Sequence, residues 1–322
     1  MAKRRKSIKR ALEGRIPAGT NLLVAVSGGK DSISLLHSLN RHRRLLKVGL
    51  QACHVNHGLR ETSASDAAFV RKFCEKLDIP CHVVALPAKP KRANIEGWAR
   101  ELRYNALHEC VEKHGLDFIV TAHTANDVAE TLLMRLLANK ELSGIREFDS
   151  ERRLLRPLLE ITREQVESYV DRHNLEWVED ASNLDTTFVR NRVRHKVIPP
   201  LRELFGESIV WSLAERGLAL NADYQGLREL VRQKCSEVGG IELNSPQWVE
   251  RFRSIVEQLP SAIQWRVVQE VFGEEFSGGM GEQAARDLLA ALVCGKGRIQ
   301  VSRGAMIVVS GQGVSFVRND CK

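Results

Sequence analysis

Nine residues decide the fold of this chain: VAVSGGKDS, from Val24 to Ser32. An apolar run ends at Val26, two glycines follow, and the pattern predicts a helix that begins near Asp31. A turn of this kind brings backbone N–H groups and the positive end of a helix to one point, which attracts anions. The stretch therefore predicts a phosphate site; a tight turn built from small residues is the alternative.

The loop differs from the two commonest phosphate-binding loops. A Walker A loop, G-x-x-x-x-G-K-[ST], does not fit because Asp31 follows Lys30 and no glycine precedes Gly29 by five residues. The dinucleotide pattern G-x-G-x-x-G does not fit the loop either. A carboxylate beside phosphates is repelled unless a cation lies between them, so we predict that Asp31 binds Mg²⁺. The predicted phosphate cradle comprises Ser27, Gly28, Gly29, Lys30, Asp31 and Ser32.

Short apolar runs alternate with amphipathic segments from residue 20 to about residue 140. The pattern predicts strands over 21–26, 48–55, 81–86 and 118–122, and helices over 32–41, 66–76, 95–114 and 126–137. Such alternation indicates an α/β fold, a doubly wound parallel sheet with helices on both faces. Ligands bind such sheets at the carboxyl ends of the strands, and the loop lies at one of them.

Turn residues and helix caps divide the rest of the chain. A capping box at 162–165 predicts a helix to about His173, the polar stretch 175–194 is expected to be irregular, and V-I-P-P at 197–200 interrupts the pattern. A long helix is predicted over 207–238, with antiparallel strands near the end of the sequence. We predict three parts: an α/β catalytic domain over 1–205 with a basic N-terminal tail, a helical connector over 206–238, and a small α+β domain over 239–322.

Composition limits the class of protein and its partners. The 322 residues carry 48 Lys and Arg against 40 Asp and Glu, a net charge of +8 that favours polyanionic partners. Apolar runs stay shorter than the ~20 residues of a membrane span, and the basic N-terminus lacks the apolar segment of a secretory signal. Seven cysteines without a C-x-x-C pair argue against a zinc ribbon, an iron–sulfur site or a disulfide framework. We therefore predict a cytoplasmic protein with reduced thiols and no membrane partner.

Two polar residues, His54 and Asn56, follow the second predicted strand in the stretch H-V-N-H-G-L-R, residues 54–60. A zinc site is disfavoured because His54 and His57 point to opposite faces of an extended chain. At the end of a strand in a parallel sheet, contact with a nucleotide is the better interpretation.

The helix predicted over 95–114 carries two arginines near its start, Arg100 and Arg103. Glu96 and Arg100 are four residues apart, so an exposed helical ion pair is one interpretation. The other interpretation is that these arginines reach a phosphate group.

Three titratable residues, His123, Asp127 and Glu130, follow the fourth predicted strand. Their spacing of i, i+4 and i+7 places them on one face if the segment is helical. Three such groups at the carboxyl end of a strand indicate a reaction site. The alternative is a capped helix start in which Asp127 interacts favourably with the helix dipole.

Arg190 and Arg194 lie in a basic segment that follows the acidic stretch E-D-A-S-N, residues 179–183. A solvated basic face is one interpretation of this segment. The other is that these arginines grip a phosphate through two parallel hydrogen bonds.

The loop S-G-G-x-D-S resembles the pyrophosphate-binding loop of the N-type ATP pyrophosphatases, the PP-loop superfamily. Together with six further motifs, the loop makes the chain resemble the tRNA(Ile)-lysidine synthetase family over about residues 21–201. In the order of the chain, these motifs are H-V-N-H-G-L-R, N-I-E-x-x-A-R-x-x-R-Y, A-H-x-x-x-D-x-x-E-T, R-P-L-L, E-D-x-S-N and R-N-x-x-R. As a set these motifs are highly specific. Two departures are Asn126, where many members have aspartate, and Lys30, a less usual residue in the loop. The chain is also shorter than members with an additional C-terminal domain.

The resemblance implies a reaction and its participants. ATP, with Mg²⁺, adenylates the cytosine oxygen at ring position 2 of the wobble cytidine in a tRNA(Ile) with a CAU anticodon, releasing pyrophosphate. Free L-lysine then attacks that carbon through its ε-amine, releasing AMP and giving lysidine. The family also suggests tRNA binding by the C-terminal domain and a homodimer.

The resemblance also implies roles for the candidate residues. Asp31 is expected to hold Mg²⁺ over the phosphates, and His54 and Asn56 to lie near the nucleoside. Asp127 and Glu130 are expected to bind the lysine ammonium and accept a proton, with His123 near the adenylate. Phosphate of ATP or tRNA is expected beside Arg100, Arg103, Arg190 and Arg194.

Four other functions stay open from the sequence. A tRNA thiolase uses the same adenylation but commonly needs a persulfide cysteine or a C-x-x-C pair, and GMP-synthetase-like amidation needs a glutaminase domain. A catalytically inactive tRNA-binding module is disfavoured by Asp31, Asp127 and Glu130. A nucleotide-binding regulator without RNA would show no salt-dependent affinity for tRNA.

Overall fold

The structure is a computed structural model that describes residues 7–56, 63–87, 95–138, 143–179, 187–238, 245–273, 280–302 and 305–318. The predictions for residues 57–60, Asn94 and 180–183 lie outside these ranges, as does the side chain of Glu96. The chain forms two compact units, Met1–Asn221 and Ala222–Lys322. The domain boundaries at 205 and 238 stay predictions. Among the described residues, no helix is both long and apolar enough to cross a membrane.

A six-stranded, mostly parallel sheet forms the centre of the first unit, which confirms the predicted α/β fold. Its strands lie in the order β3-β2-β1-β4-β6-β5, and β5 alone is antiparallel to its neighbour. The strands are β1 (Asn21–Ala25), β2 (Gly49–Asn56), β3 (Cys81–Ala85), β4 (Phe118–Val120), β5 (Phe148–Asp149) and β6 (Leu154–Leu155). The sequence did not predict β5 and β6, because two residues are too few to establish a hydrophobic period.

The helices of the first unit cover both faces of this sheet. Strand β1 is central and apolar throughout its middle, so Leu22 and Val24 pack into one core cluster while Leu23 packs into another. The first cluster receives side chains from α1, α2, α3 and α6, and the second from α4. The helices are α1 (Ile8–Glu13), α2 (Lys30–Leu46), α3 (Ser63–Lys76), α4 (Ile95–His114), α5 (Ala125–Leu137), α6 (Arg163–Arg172), α7 (Val189–Arg192) and α8 (Ile198–Phe205).

The N-terminal segment is part of the core from residue 7 onward. The side chain of Ser7 accepts a hydrogen bond from Arg10 N and caps α1. Ile8, Ala11 and Leu12 of α1 are buried against the sheet's helices. From residue 7 onward, the segment predicted as a basic tail is therefore part of the core, because apolar residues at helical spacing lie between its basic residues.

The expected interruption at V-I-P-P is also wrong. The chain is helical from Val189 to Phe205, through α7, a π-helical turn at Val193–Val197, and α8. Pro199 and Pro200 lie in the first turn of α8, where a missing N–H costs no helical hydrogen bond. Two arginines of the active-site region, Arg190 and Arg194, are consequently held on a rigid element.

The second unit is small and mixes helices with an antiparallel sheet, as predicted. Its core contains Trp248, Phe252 and Phe272, all essentially buried. The long helix predicted over 207–238 is observed as α9, Ile209–Val238, and extends from the first unit into the second. The remaining elements are α10 (Pro246–Val256), α11 (Ser261–Gly273), α12 (Glu282–Cys294), β7 (Gly297–Ser302), β8 (Ala305–Ser310) and β9 (Gly313–Arg318).

Candidate active site

The glycine loop, residues 27–32, connects the end of β1 to the start of α2. Gly28 has φ of +95°, a left-handed conformation that favours glycine, and its carbonyl accepts a hydrogen bond of 2.9 Å from Val178 N. Helix α2 begins after Gly29, and glycine at this cap position offers no side chain to cap the N–H groups of the first turn. These donors and the positive end of a 17-residue helix therefore face an anion position at the carboxyl edge of the sheet.

Two serine hydroxyls hold the loop in shape. Ser32 Oγ donates to the Gly29 carbonyl at 2.9 Å and lies 3.2 Å from Ser27 Oγ. Ser27 Oγ accepts from Gly29 N at 3.3 Å. Because Ser27 is exposed and Ser32 is buried, the first hydroxyl can reach a ligand directly while the second fixes the turn.

Asp31 has the most unusual environment of the loop residues. Its Oδ1 atom is buried and lacks a hydrogen-bond partner among the described residues. Burial, followed by the nearby charge of Asp127, raises the pKa of Asp31 to about 6, although Arg163, Lys30 and Arg194 pull it down. A carboxylate oxygen held away from water without a donor is the chemical environment that a bound cation would complete.

Lys30 is paired with a carboxylate of the protein itself, and its contact with phosphate stays a prediction. Its ammonium group forms an ion pair with Glu167 of α6, on the helix that packs beside α2. Its positive charge still lies close enough to lower the pKa of Asp31.

His54 and Asn56 lie at the carboxyl end of β2, beside the end of β1. His54 is buried, and its Nδ1 donates to the carbonyl of Val26 at 2.8 Å. Asn56 Nδ2 donates to the carbonyl of Ser63 at 3.2 Å, where α3 begins. Both side chains therefore support the backbone around the glycine loop, and their contact with a nucleoside stays a prediction.

Glu130 is the centre of an arginine cluster, which we define as Asp127, Glu130, Arg163, Arg190 and Arg194. The Glu130 side chain is 0% exposed and receives hydrogen bonds from three guanidinium groups. Arg163 Nη1 donates to its Oε1 at 2.9 Å, Arg190 Nε to its Oε2 at 2.8 Å, and Arg194 Nε to its Oε1 at 2.8 Å. Burial alone would raise the pKa of Glu130, but the hydrogen bond from Arg194 and the charge of Arg163 lower it below the usual range.

Asp127 shares two of these arginines. Its Oδ1 lies 2.9 Å from Arg190 Nη2 and 3.4 Å from Arg163 Nη2, while its Oδ2 accepts from the backbone N–H of Thr124 at 2.7 Å. Burial opposes the charged form, yet Arg190 and Arg163 hold the pKa of Asp127 well below its usual value. The helix-cap interpretation is confirmed, because Asp127 completes the capping box of α5, while its part in a reaction stays a prediction.

The π-helical turn places Arg190 and Arg194 on the same side of their helix. Arg190 lies in α7 and Arg194 in the wide turn that follows, and both reach Glu130. Wide turns of this type widen the local spacing of side chains and often occur at functional sites. The expectation of a solvated basic face is wrong here, since both arginines are paired and only partly exposed.

His123 does not share a helical face with Asp127 and Glu130. Helix α5 begins at Ala125, so His123 lies in the preceding loop, where its Nδ1 is 2.9 Å from Thr121 Oγ1. Burial, with the charges of Arg156, Arg190 and Arg100, lowers the pKa of His123 to about 3 although Asp127 opposes this. The imidazole is therefore neutral at neutral pH and suits a hydrogen-bonding role.

Arg100 and Arg103 lie near the start of α4, and both are exposed. The Arg100 guanidinium stands 5.2 Å from the centre of the Tyr104 ring. Its effect on the pKa of His123 places its charge near the site, whereas the contact of Arg103 with phosphate stays a prediction.

Sequence reasoning missed Arg163 and gave Asn126 no role. Asn126 Oδ1 accepts a hydrogen bond of 2.9 Å from Arg163 N, so this departure from the family pattern anchors the start of α6. Arg163 lies inside the capping box T-R-E-Q, which indicated only a helix start. Its partners Asp127 and Glu130 are more than 30 residues away, so no local pattern could identify it.

The formal charges of Asp31 and the arginine cluster add up to zero. Asp31, Asp127 and Glu130 contribute three carboxylates, and Arg163, Arg190 and Arg194 contribute three guanidinium groups. A divalent cation at Asp31 would give this set a net positive charge and thereby favour a polyphosphate. The arrangement is suited to hold a nucleoside triphosphate with its metal and to stabilise charge that develops on its phosphates.

Comparison with known proteins agrees with this geometry. A family model described as PP-loop domain matches residues 2–201. The chain is 32% identical to tRNA(Ile)-lysidine synthase from Symbiobacterium thermophilum, over 95% of this chain and 67% of that protein. It is 36% identical to the enzyme of that name from Clostridium perfringens over 68% of this chain and 38% identical to that from Pseudothermotoga lettingae over 58%. The chain spans only 48% and 43% of the length of these last two relatives.

A solved structure supports the fold independently. The U34-tRNA thiolase from Methanococcus maripaludis matches with a TM-score of 0.56 and 19% identity, over 65% of this chain and 77% of the thiolase. At this identity the match establishes the architecture alone. Together with the loop S-G-G-K-D-S and the matched length of sequence, these findings lead to one conclusion. The chain belongs to the PP-loop domain family and, within it, to the tRNA(Ile)-lysidine synthases.

Proposed function

We propose that this chain is a carbon–nitrogen ligase that joins L-lysine to the wobble cytidine of a tRNA(Ile) with a CAU anticodon, using ATP. The product, lysidine, changes decoding from AUG to AUA. The observation that carries the proposal is the juxtaposition of two features at one edge of the sheet. The glycine loop, in which Oδ1 of Asp31 has no hydrogen-bond partner among the described residues, lies beside a cluster of arginines held by buried Glu130.

The loop residues fit a triphosphate and its Mg²⁺. The N–H groups at the start of α2 and the hydroxyl of Ser27 supply donors for phosphate oxygens, and Gly28 lets the backbone approach them. Asp31 Oδ1 supplies the hard oxygen ligand that Mg²⁺ prefers. When bound, Mg²⁺ neutralises phosphate charge as pyrophosphate departs.

The first chemical step forms a bond between the cytosine O2 atom and the α-phosphorus of ATP and breaks the α–β phosphoanhydride bond. Negative charge moves onto the leaving pyrophosphate. Arg190 and Arg194, which pair with Glu130, are the candidates to stabilise this charge, and Arg100 and Arg103 of α4 are further candidates. Neutral His123 would orient the base or the adenylate through a hydrogen bond.

In the second step the lysine ε-amine forms a bond to C2 of the ring, and the bond from C2 to the adenylate oxygen breaks, which releases AMP. The low pKa of Asp127 and of Glu130 makes both carboxylates weak bases. We therefore assign the partly exposed Asp127 to hold the lysine ammonium group until its nitrogen releases a proton to solvent, which leaves the neutral amine that attacks C2. Glu130, which is fully buried, would position the arginines, and proton acceptance by either residue is disfavoured.

The proposal is tested by supplying radiolabelled lysine, ATP and a CAU-anticodon tRNA(Ile) transcript to the full chain. Label should enter the tRNA only when ATP is present. Asp31→Asn should lower incorporation and ATP–pyrophosphate exchange by at least about a thousandfold, because electrostatic stabilisation of the phosphates is lost. Binding of tRNA, measured by filter retention, should change little.

Asp66→Asn is the matched control, since Asp66 occupies the first turn of α3 as Asp31 occupies that of α2. It should keep normal activity. ATP-independent incorporation, or normal turnover by Asp31→Asn, would overturn the proposal. The homodimer stays an implication of the family resemblance and the cytoplasmic location a prediction from composition, and sedimentation of the purified chain tests the first.

A further inference from the structure

Three side chains with nitrogen and sulfur donors meet at the outer edge of the sheet, away from the site described above. They are His82 of β3 and Cys110 and His114 of α4, and their ligand atoms all lie within 4.8 Å of one another. His114 is separated from Arg100 by 14 residues of α4, which is about 21 Å of helix. This group, the edge cluster, is therefore separate from the ATP site.

Local geometry explains why the three side chains meet. Cys110 and His114 are four residues apart in α4 and so lie on one face of the helix. Helix α4 packs on strands β1, β2 and β4. His82 extends toward α4 from the edge strand β3, next to β2. The rings of His82 and His114 have centroids 4.0 Å apart and planes inclined by 26°.

A neighbouring side chain orients His82. His82 Nε2 lies 2.7 Å from Gln51 Oε1, and because an amide oxygen only accepts, the hydrogen lies on Nε2. The other ring nitrogen, Nδ1, is then an acceptor with a free lone pair. Histidine ligands of metals are commonly fixed in this way by a hydrogen bond to the nitrogen that does not bind the metal.

The donor set selects the metal. One thiolate and two imidazoles suit zinc, which binds sulfur at about 2.3 Å and imidazole nitrogen at about 2.0 Å in tetrahedral geometry. Those bond lengths require ligand atoms about 3.3–3.8 Å apart, so a contraction of roughly 1 Å within the edge cluster completes the site. His114 is exposed, which gives it room to move and leaves water access to the fourth position.

We propose that His82, Cys110 and His114 bind one zinc ion that joins the edge strand β3 to the end of α4. Binding replaces the thiol proton of Cys110, which passes to solvent, with a metal–sulfur bond. The ion would protect an edge strand that has a neighbour on only one side within the sheet.

The test uses the reduced, metal-free full chain and titration with Co²⁺ and then Zn²⁺. A phosphine reductant is required because the Cys53 thiol lies in hydrogen-bonding contact with Cys110. One equivalent of Co²⁺ should bind and give the thiolate charge-transfer and tetrahedral absorption bands, which one equivalent of Zn²⁺ should remove. Zinc should also raise the unfolding temperature.

His114→Ala should abolish these bands and the zinc-dependent rise in unfolding temperature without unfolding the chain, because His114 is exposed at a helix end. Cys110→Ser should remove the charge-transfer band, and Gln51→Ala should weaken binding about tenfold. His108→Ala, on the same helix but outside the edge cluster, is the control and should bind normally. Absence of the bands in the native chain, or their retention in His114→Ala, would overturn the proposal.

Discussion

Asp31 in the glycine loop and Glu130 in the arginine cluster are two shielded carboxylates at the same edge of the sheet, with opposite surroundings. Oδ1 of Asp31 has no hydrogen-bond partner among the described residues, and its pKa is raised to about 6. Glu130 accepts hydrogen bonds from Arg163, Arg190 and Arg194, and its pKa is lowered. The two regions therefore differ in whether the protein itself supplies the counter-charge.

This difference distinguishes a carboxylate that binds a ligand from one that supports the protein's own structure. A buried charge without a partner destabilises the folded chain, so its persistence at the loop indicates that a ligand supplies the partner. A buried carboxylate with three partners, such as Glu130, stabilises the arrangement of those partners. The carboxylate itself then has little capacity left to bind a ligand. Four substitutions or conditions test this distinction, beginning with the arginine cluster.

Glu130→Gln should have the largest effect on stability, a loss of about 3–5 kcal/mol in the free energy of unfolding. The amide can accept fewer hydrogen bonds and carries no charge, so three guanidinium groups lose their common partner. Urea unfolding followed by circular dichroism measures the loss.

Glu164→Gln is the control for Glu130→Gln. Glu164 is exposed at the first turn of α6 and pairs with Arg202, so its replacement should cost less than about 1 kcal/mol. Equal losses for the two variants would contradict the assignment of Glu130 as the centre of the cluster.

The pH dependence of stability should have opposite signs for Asp31 and for Asp127 of the arginine cluster. The pKa of Asp31 is about 6 in the folded state against 3.8 for an ordinary aspartate, so the folded state binds the proton more tightly. Stability from this group should fall by up to about 3 kcal/mol as pH rises from 4 to above 6. The pKa of Asp127 is lowered in the folded state. Its contribution to stability is therefore fully present when the pH is above the pKa of an aspartate in the unfolded chain, and it is lost as the pH falls below that pKa.

Asp31→Asn should remove the Asp31 contribution, so that the difference in unfolding free energy between wild type and variant changes across pH 4–7. The variant should be the more stable of the two at pH 7 in the absence of ligands. Saturating Mg²⁺ and ATP should stabilise wild type and leave the variant nearly unchanged. A pH-independent difference would contradict the raised pKa, and Asp66→Asn serves again as the control.

The sequence identified the loop better than it identified the cluster, for a physical reason. Loop residues 27–32 are consecutive, so their turn, their helix start and the odd placement of Asp31 are visible in one window. The cluster joins residues from α5, α6, α7 and the π-helical turn, and its hydrogen-bonded partners are up to 64 positions apart. Arg163 was missed because only the folded chain brings it to Glu130.

The same principle explains the errors in the fold. Four strands of the sheet were predicted because each lies in a run of five or more mostly apolar residues, whereas β5 and β6 have two residues each. Pro199 and Pro200 suggested an interruption, yet prolines in the first turn of a helix are tolerated. The spacing of His123, Asp127 and Glu130 fitted one helical face only if the segment were helical from His123, and α5 begins after its cap at Thr124, one residue later.

Gly28→Ala should have an intermediate effect, a loss of about 1–2 kcal/mol in stability with weaker ATP binding. The cause is the positive φ of Gly28, since a Cβ there meets only ordinary contacts, 3.5 Å from Val70 and 3.6 Å from Val178. Gly29→Ala is the matched control, because Gly29 has φ of −71° and accommodates a side chain. Equal stability losses for both variants would show that crowding, and not backbone strain, decides the effect.

Glu167→Gln should have the smallest effect, less than about 0.5 kcal/mol in stability. The side chains of Lys30 and Glu167 are 35% and 48% exposed, so water screens their ion pair. Loss of the pair frees the Lys30 ammonium to turn toward bound phosphate, and the Michaelis constant for ATP should stay the same or fall slightly. An increase in that constant by more than a few-fold would show that the pair with Glu167 positions Lys30 for phosphate binding. Helix α6 would then support ligand binding by the loop as well as the structure of the arginine cluster.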